Sequence, residues 1–126
     1  MFEISDEDFQ KLIDEALGEL PKNQTDGIKN VAILFNEEPT EEQREKLNLH
    51  AGESLFGLYE GTPLAFRQGN PSLYPDRITI FKNPMLAASP NMEILKARIK
   101  HTLWHEIGHY YGLNHDRIHE IEANWK

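Results

Sequence analysis

The sequence HEIGHYYGLNH runs from His105 to His115 and has the form H-E-x-x-H-x-x-G-x-x-H. On a helix that turns about 100° per residue, His105 and His109 lie about 40° apart, so both imidazoles can reach one metal ion. Glu106 lies on the flank of that face, where its carboxylate can serve as general base for a water activated by the metal. Gly112 can end the helix in the left-handed conformation, which lets His115 return as a third ligand. The motif therefore predicts a catalytic zinc site with three protein ligands and one open position.

The extended form of this motif is specific, whereas its H-E-x-x-H core alone recurs by accident. The chain holds 6 His and 8 Gly in 126 residues, and shuffling it would produce the extended form about once in ten thousand. Asp116 is the fallback third ligand if His115 points away from the metal. Three imidazoles also suit Ni²⁺, Co²⁺ or Cu²⁺, and zinc is expected because of its availability in cells.

Other polar residues near the motif carry weaker signals. His101 lies one turn before His105, and we interpret it as a surface or hydrogen-bonded structural residue. The downstream residues His119, Glu120 and Glu122 are interpreted as exposed helix positions. The alternative is that they contact the metal ligands or are ligands themselves. A hydrolase also needs a group that stabilises the oxyanion. The sequence does not choose among the candidates for that role, which are Tyr74, Arg77, Tyr110, Tyr111 and Arg117.

Composition limits what the protein can be. A chain of 126 residues is expected to form a single domain over residues 1–126. It contains no cysteine, which excludes disulfides, thiolate zinc sites and cysteine nucleophiles and fits a cytoplasmic protein. The acidic N-terminus does not resemble a signal peptide, and no apolar run approaches the length of a membrane span. The net charge of −8 argues against a nucleic-acid surface. We therefore expect a peptide or protein substrate, and no oligomeric state is predicted.

The residues before the motif predict a helix followed by a small sheet. Ser5 is the expected N-cap of an amphipathic helix that ends near Leu20. Residues 22–27 are predicted to form a polar loop, and Thr40 with Gln43 could start a short helix. Three or four strands are expected, and the first is predicted to be buried on both faces. The candidate strands are Val31–Phe35, Phe56–Gly61, Pro63–Phe66 and Arg77–Phe81.

The residues around the motif predict one long helix and a short terminal one. Ser89 is the expected N-cap and Pro90 the first residue of a helix that ends at Tyr111. Ile118, Ile121 and Trp125 are spaced for a short helix packed on the body. The long helix has an apolar stripe opposite the motif histidines, formed by Leu95, Ile99, Leu103, Ile107 and Tyr110. The predicted fold class is thus α+β, with a small sheet, a long helix carrying the site, and short flanking helices.

These motifs resemble a family of small bacterial zincin-like metallopeptidase domains, long catalogued as a domain of unknown function. The resemblance covers nearly the whole chain, and its matching pieces are Gly18–Pro21, Gly57–Leu64, Pro75–Phe81, Leu103–His109 and Gly112–Ile121. It implies a minimal zincin-like α+β fold, with zinc on the two histidines of the helix and on the residue at position 115. It also implies that the glutamate after the first histidine is the base. Many relatives have Asp where this chain has His115, and either residue is a competent ligand.

The third histidine also makes the chain look like a metzincin, but one feature of metzincins is missing. Metzincins carry a methionine-containing turn beneath the metal, after the motif. All three methionines here, Met1, Met85 and Met92, precede the motif. We therefore expect the usual lower wall of the cleft to be absent, which argues against efficient proteolysis but leaves metal binding untouched.

Three hypotheses of different classes follow. The leading one is a zinc-dependent peptidase in which Glu106 takes a proton from the attacking water and returns it to the leaving amine. The second is a metal-dependent endoribonuclease, because the H-x₃-H-x₅-H spacing also occurs in such a family; Glu106 and the acidic charge speak against it. The third is a catalytically weak or inactive metal-binding or interaction module, for which a fourth protein ligand on the metal would be the mark.

Overall fold

In the computed structural model, which describes residues 3–28, 31–47, 55–61 and 76–123, a three-stranded sheet packs against one long helix. The strands lie in the order β1-β3-β2, with β1 parallel and β2 antiparallel to the central β3. This arrangement confirms the predicted α+β class. The expected strand Pro63–Phe66 and the residues Tyr74 and Trp125 lie outside the described residues. The elements are α1 (Asp6–Glu19), α2 (Lys22–Thr25), β1 (Val31–Asn36), α3 (Glu41–Lys46), β2 (Gly57–Glu60), β3 (Asp76–Phe81), α4 (Lys82–Ala87), α5 (Met92–Tyr111) and α6 (His115–Ala123).

The early helices begin where their capping residues predict. The hydroxyl of Ser5 accepts the backbone N–H of Asp8 at 3.1 Å, which satisfies one free donor at the start of α1. Thr40 and Gln43 form a reciprocal capping box at the start of α3. The prediction of a loop over residues 22–27 was wrong, because Lys22–Thr25 closes one helical turn directly after Pro21.

The first strand is less buried than its composition predicts. We expected residues 31–35 to be covered on both faces, but Ala32 is exposed and the other apolar residues of β1 are only partly buried. The reason is position, because within the described residues β1 pairs on one side only. The buried strand is instead the central strand β3, whose residues Ile78, Ile80 and Phe81 are fully buried.

The long helix α5 organises the core. Its predicted stripe is confirmed, since Leu95, Ile99, Leu103, Ile107 and Tyr110 each expose 0% of their surface. This face packs against α1 and the sheet. Among the described residues no helix is long and apolar enough to cross a membrane.

Both ends of α5 are defined by local chemistry. The helix starts at Met92, with the Asn91 side chain accepting the N–H of Ile94 at 2.9 Å. The predicted start at Ser89 and Pro90 was wrong, because the Ser89 N–H closes the end of α4 on the Leu86 carbonyl. Asn is as good an N-cap as Ser, and the N-cap of α5 is Asn91, two residues after the predicted Ser89.

At its other end α5 stops at Tyr111, as predicted. Gly112 adopts φ 85°, a left-handed conformation that glycine takes without steric cost. The N–H groups of Gly112 and Leu113 donate back to the carbonyls of His109 and Gly108, each at 3.0 Å. The chain therefore reverses within three residues and enters α6 at His115.

Helix α6 docks on α5 at Gly108. A Cβ at this position would lie 2.5 Å from Cγ1 of Ile118, a distance that real Cβ contacts do not reach. Ile118 is fully buried, and its carbonyl accepts the indole N–H of Trp104 at 3.2 Å. The missing side chain of Gly108 thus lets α6 approach closely enough to hold its first residue, His115, over α5.

Substitution of Gly108 by Ala should therefore destabilise the protein. Overpacking costs about 1–3 kcal/mol, which exceeds the gain of about 1 kcal/mol that Ala offers over Gly in a helix. The matched control is Gly18→Ala in α1, where nothing lies within 4 Å of the added Cβ, so that variant should be more stable than the parent. Urea denaturation of the metal-free proteins measures both. Equal stabilisation by the two substitutions would contradict the packing described for Gly108.

Candidate metal centre

Three imidazoles converge at the start of α6. His105, His109 and His115 each offer one ring nitrogen, and these atoms all lie within 4.8 Å of one another. The ring centroids are 4.8, 4.9 and 5.0 Å apart, so the three rings form a nearly equilateral triangle. Nitrogen ligands of a tetrahedral zinc lie about 2.0–2.1 Å from the ion, and hence about 3.3 Å from one another. The nitrogens would therefore have to move closer together to share one ion, and three imidazoles are a donor set that suits zinc.

The backbone explains why the third histidine reaches the other two. Gly112 reverses the chain, and the side chain of Asn114 caps α6 by accepting the N–H of Arg117 at 2.8 Å. His115 is consequently the first residue of a capped helix whose Ile118 is fixed on α5. Its position is therefore set by two regular elements rather than by a free loop.

The neighbouring candidates lie outside this triangle. Asp116, the fallback ligand, is exposed and is not part of the group that could hold an ion within the described residues. His101 is half-exposed, and its Nδ1 donates to Oε1 of Glu122 at 2.6 Å, which fits the predicted structural role. The prediction that Glu122 is an exposed helix position was therefore wrong, because its side chain exposes only 21% of its surface. His119 and Glu120 are exposed as expected.

Glu106 is buried beside the histidines. It exposes 8% of its surface, and its Oε1 accepts the backbone N–H of Tyr59 in β2 at 2.9 Å. Burial disfavours the charged carboxylate and raises the pKa of Glu106 from 4.5 to about 7, although the Tyr59 N–H partly opposes that shift. A carboxyl group with such a pKa can both accept and return a proton near neutral pH.

The same burial acts in the opposite direction on the histidines. It lowers the pKa of His105 to about 4, with smaller contributions from His109, His115 and the other nearby imidazoles. Burial followed by the neighbouring His115 also lowers the pKa of His109. Neutral imidazole is the form that binds a metal. The fold therefore keeps these two side chains in the state a metal needs.

An open cleft of about 490 Å³ lies along β2 in front of these residues. His105, Glu106 and His109 line its floor, and its walls are largely apolar. A smaller hollow of about 230 Å³ is also lined by Glu106, together with Phe56 and Thr102. The apolar side chains of the larger cleft are Leu47, Leu55, Leu58 and Leu113. Reacting groups placed in this cleft would meet the imidazoles of His105 and His109 together with the carboxyl group of Glu106.

Four of the five candidates for oxyanion stabilisation lie within the described residues, and each of the four is either bonded to another group or buried. Tyr111 donates its hydroxyl to the Gln24 carbonyl at 2.6 Å, and Tyr110 is fully buried. Arg77 pairs with Glu60 and Arg117 with Glu120, each at 3.6 Å. Within the described residues, none of these four side chains lines the cleft.

Two residues important to the site carry no obvious sequence signal. Gly108 occupies a variable position of the motif, and only the depth at which Ile118 packs reveals why a side chain is absent. Tyr59 acts through its backbone N–H, which every residue except proline possesses. A hint was available for both, because each lies inside a segment on which the family resemblance rests.

Comparison with known proteins places this geometry in a family. Residues 28–125 match the zincin-like metallopeptidase family, and the chain belongs to it. The fold is similar to that of a conserved hypothetical protein from T. thermophilus, with a TM-score of 0.56 and 19% identity over 86% of this chain and 94% of that chain. At this identity the likeness shows the fold alone. No curated protein matches the chain.

The three-histidine group predicts a specific pattern of zinc affinity. We expect one zinc per chain, and His115→Ala should weaken binding by more than the roughly 10- to 100-fold that loss of a ligand's hydrogen-bond partner costs. His119→Ala is the matched control, since it removes an exposed imidazole whose ring centroid lies 6.3 Å from that of His105. Competition with a chromophoric chelator measures both affinities. If the two variants bound zinc equally well, His115 would not be a ligand.

The raised pKa of Glu106 predicts a pH-dependent stability in the metal-free protein. Because the folded-state pKa of about 7 exceeds the ordinary 4.5, the folded state holds this proton more tightly than the unfolded state. Stability from this group is full below pH 4.5 and is lost as the pH rises to 7, by about 3 kcal/mol. The Glu106→Gln variant has no titrating group at this position and so does not lose this stability. The free energy of unfolding of the variant minus that of the parent should therefore increase between about pH 4 and pH 8.

Comparing the two proteins at each pH isolates the carboxyl group. His105 has the opposite effect on the pH dependence of stability. Because its pKa is lowered, the free energy of unfolding falls as the pH drops from 6.5 towards 4. That contribution is common to both proteins and cancels in the difference. Urea denaturation with a chelator present supplies the values. A difference that does not change with pH would contradict the burial of a titrating carboxyl at this position.

Proposed function

We propose that this chain is a zinc-dependent peptidase, with His105, His109 and His115 as the metal ligands and Glu106 as the general base. The observation that carries the proposal is the convergence of three imidazole nitrogens within 4.8 Å next to a buried carboxyl group on the floor of an open cleft. Membership of the zincin-like metallopeptidase family supports it. The neutral imidazoles, the buried carboxyl group, the open cleft and the rigid helices that carry them each support this proposal.

The chain's own residues supply most of the chemistry. A zinc ion, when bound, polarises a peptide carbonyl and lowers the pKa of a water. Glu106 has one carboxylate oxygen engaged by the Tyr59 N–H, which leaves the second oxygen to accept a proton from the attacking water. The same oxygen can then deliver that proton to the leaving amine. Burial keeps the pKa of Glu106 near the pH at which both transfers must occur.

The substrate is proposed to be an extended peptide that lies along β2. Phe81 donates its N–H to the Phe56 carbonyl, so in the antiparallel register the backbone of Gly57 faces away from β3. Gly57 lines the cleft, where a peptide could add to the strand by main-chain hydrogen bonds. The leucines of the walls favour an apolar side chain near the scissile bond, and the charge of −8 favours a neutral or basic peptide.

The two alternatives have weaker support. An endoribonuclease needs cationic groups for phosphate, yet no Lys or Arg is found among the described residues that line the main cleft. A closed structural zinc site needs a fourth protein ligand, and the group found within the described residues contains three histidines only. An inactive metal-binding module is the outcome to test against.

The decisive experiment is digestion of an unbiased peptide library by the zinc-loaded protein and by its Glu106→Gln variant. General bases contribute roughly 10²- to 10⁴-fold to rate, so the variant should lose cleavage by that factor and keep its zinc. Glu120→Gln is the matched control, because Glu120 is an exposed carboxylate on α6. Mass spectrometry counts the products, and atomic absorption counts the metal. Equal cleavage by parent and Glu106→Gln contradicts the mechanism, and no cleavage by the zinc-loaded parent favours the inactive module.

A further inference from the structure

Tyr59 links Glu106, the proposed general base, to the central strand β3. Its backbone N–H donates to Oε1 of Glu106 at 2.9 Å, and its hydroxyl donates to Oδ2 of Asp76 at 2.5 Å. Asp76 exposes only 1% of its surface and begins the central strand β3. The ring of Tyr59 also packs edge-on against Tyr110 in α5, with centroids 6.1 Å apart. One residue therefore contacts the base, the sheet and the helix that carries the base.

The register of β2 explains why this N–H is available to Glu106. The pair Phe56–Phe81 is hydrogen-bonded across the two strands, so hydrogen-bonded and non-hydrogen-bonded pairs alternate from there. Tyr59, opposite Ile78, belongs to a non-hydrogen-bonded pair, and its N–H faces away from β3. Glu106 occupies that donor, so it is not free for a peptide added to the strand.

The anchor at Asp76 is built tightly. Gly61 adopts φ 148° and packs on the Asp76 carboxyl, where a Cβ at position 61 would overlap that group. Glu60 reinforces the same junction, because it accepts from Gln43 at 3.1 Å and pairs with Arg77 at 3.6 Å. These contacts join β2, β3 and α3. A shift of Tyr59 along its strand would break several of them at once.

We propose that Tyr59 and Asp76 are positioning residues for Glu106. The phenol-to-carboxylate hydrogen bond fixes β2, the Tyr59 N–H then fixes Oε1 of Glu106, and the second oxygen is left aimed for proton transfer. The catalytic meaning of this role rests on the proposed peptidase function, but the hydrogen-bond chain exists or fails independently of activity.

The first test measures the hydrogen bonds in the metal-free protein of 126 residues by NMR. The parent should show a scalar coupling across the hydrogen bond between the Tyr59 amide nitrogen and the side-chain carboxyl carbon of Glu106. In Tyr59→Phe the exchange protection of that amide should fall roughly tenfold, the value of a hydrogen bond to a charged group. Tyr111→Phe is the matched control, since it removes another phenol hydrogen bond, to Gln24, away from the cleft. Absence of the coupling in the parent, or equal protection in the two variants, overturns the proposal.

The second test separates positioning from general damage to the fold. Zinc affinity should be unchanged in Tyr59→Phe, because the three histidines lie on α5 and α6. Cleavage of the best library peptide should show kcat lowered roughly tenfold with KM held within about twofold. Asp76→Asn keeps an acceptor oxygen and should restore most of the rate that Asp76→Ala loses. A parallel rise in KM, or equal losses in Asp76→Asn and Asp76→Ala, contradicts the positioning role.

The two tests also distinguish this proposal from the peptidase function. If the coupling is observed and the exchange protection of the amide falls in Tyr59→Phe while the zinc-loaded parent cleaves no peptide, Glu106 is positioned as proposed and the peptidase assignment fails. If the parent cleaves peptides but the coupling is absent, the peptidase assignment stands and the positioning role is wrong.

Discussion

The whole site depends on the contact between α5 and α6 at Gly108. Two histidines on one helical face can meet a metal without help from the rest of the fold, but a third must be brought from outside that helix. Here the absence of a side chain at Gly108 lets Ile118 pack against the helix axis, and Trp104 secures the carbonyl of Ile118. His115 lies one helical turn before Ile118 in α6, so the packing of Ile118 on α5 also sets the position of His115. A glycine at a variable position of the motif thus allows the close packing that brings His115 to the other two histidines.

Burial gives the site its electrostatic character. Removing Glu106 and His105 from water raises the pKa of the first to about 7 and lowers that of the second to about 4. Both shifts reflect the cost of charge in a poorly solvated cleft. A divalent cation at the histidines would relieve both, because it favours neutral imidazoles as ligands and an ionised carboxylate nearby. In the absence of a cation, the same burial therefore favours neutral imidazole at His105 and a protonated carboxyl at Glu106.

Local patterns in the sequence predicted the elements of the site, and non-local contacts decided the rest. The stripe from Leu95 to Tyr110, the stop at Gly112 and the convergence of the histidines follow from helical periodicity and glycine chemistry, and the structure agrees with each. The start of α5 was misplaced because Ser89 and Asn91 are equally good caps, and only the end of α4 decides between them. The burial of β1 depends on which strands lie beside it. The hydrogen bond from Tyr59 to Glu106 uses a backbone group, which no side-chain pattern can reveal.

The most direct test of this account is zinc K-edge X-ray absorption spectroscopy of the zinc-loaded protein, which counts the ligands of the ion. An open three-histidine site should show three imidazole nitrogens and one oxygen, at about 2.0–2.1 Å. The multiple-scattering features of the imidazole rings should be of the size expected for three histidines. A coordination sphere with two imidazoles would contradict the role of the docked helix α6, and one closed by a fourth protein ligand would contradict an open catalytic site.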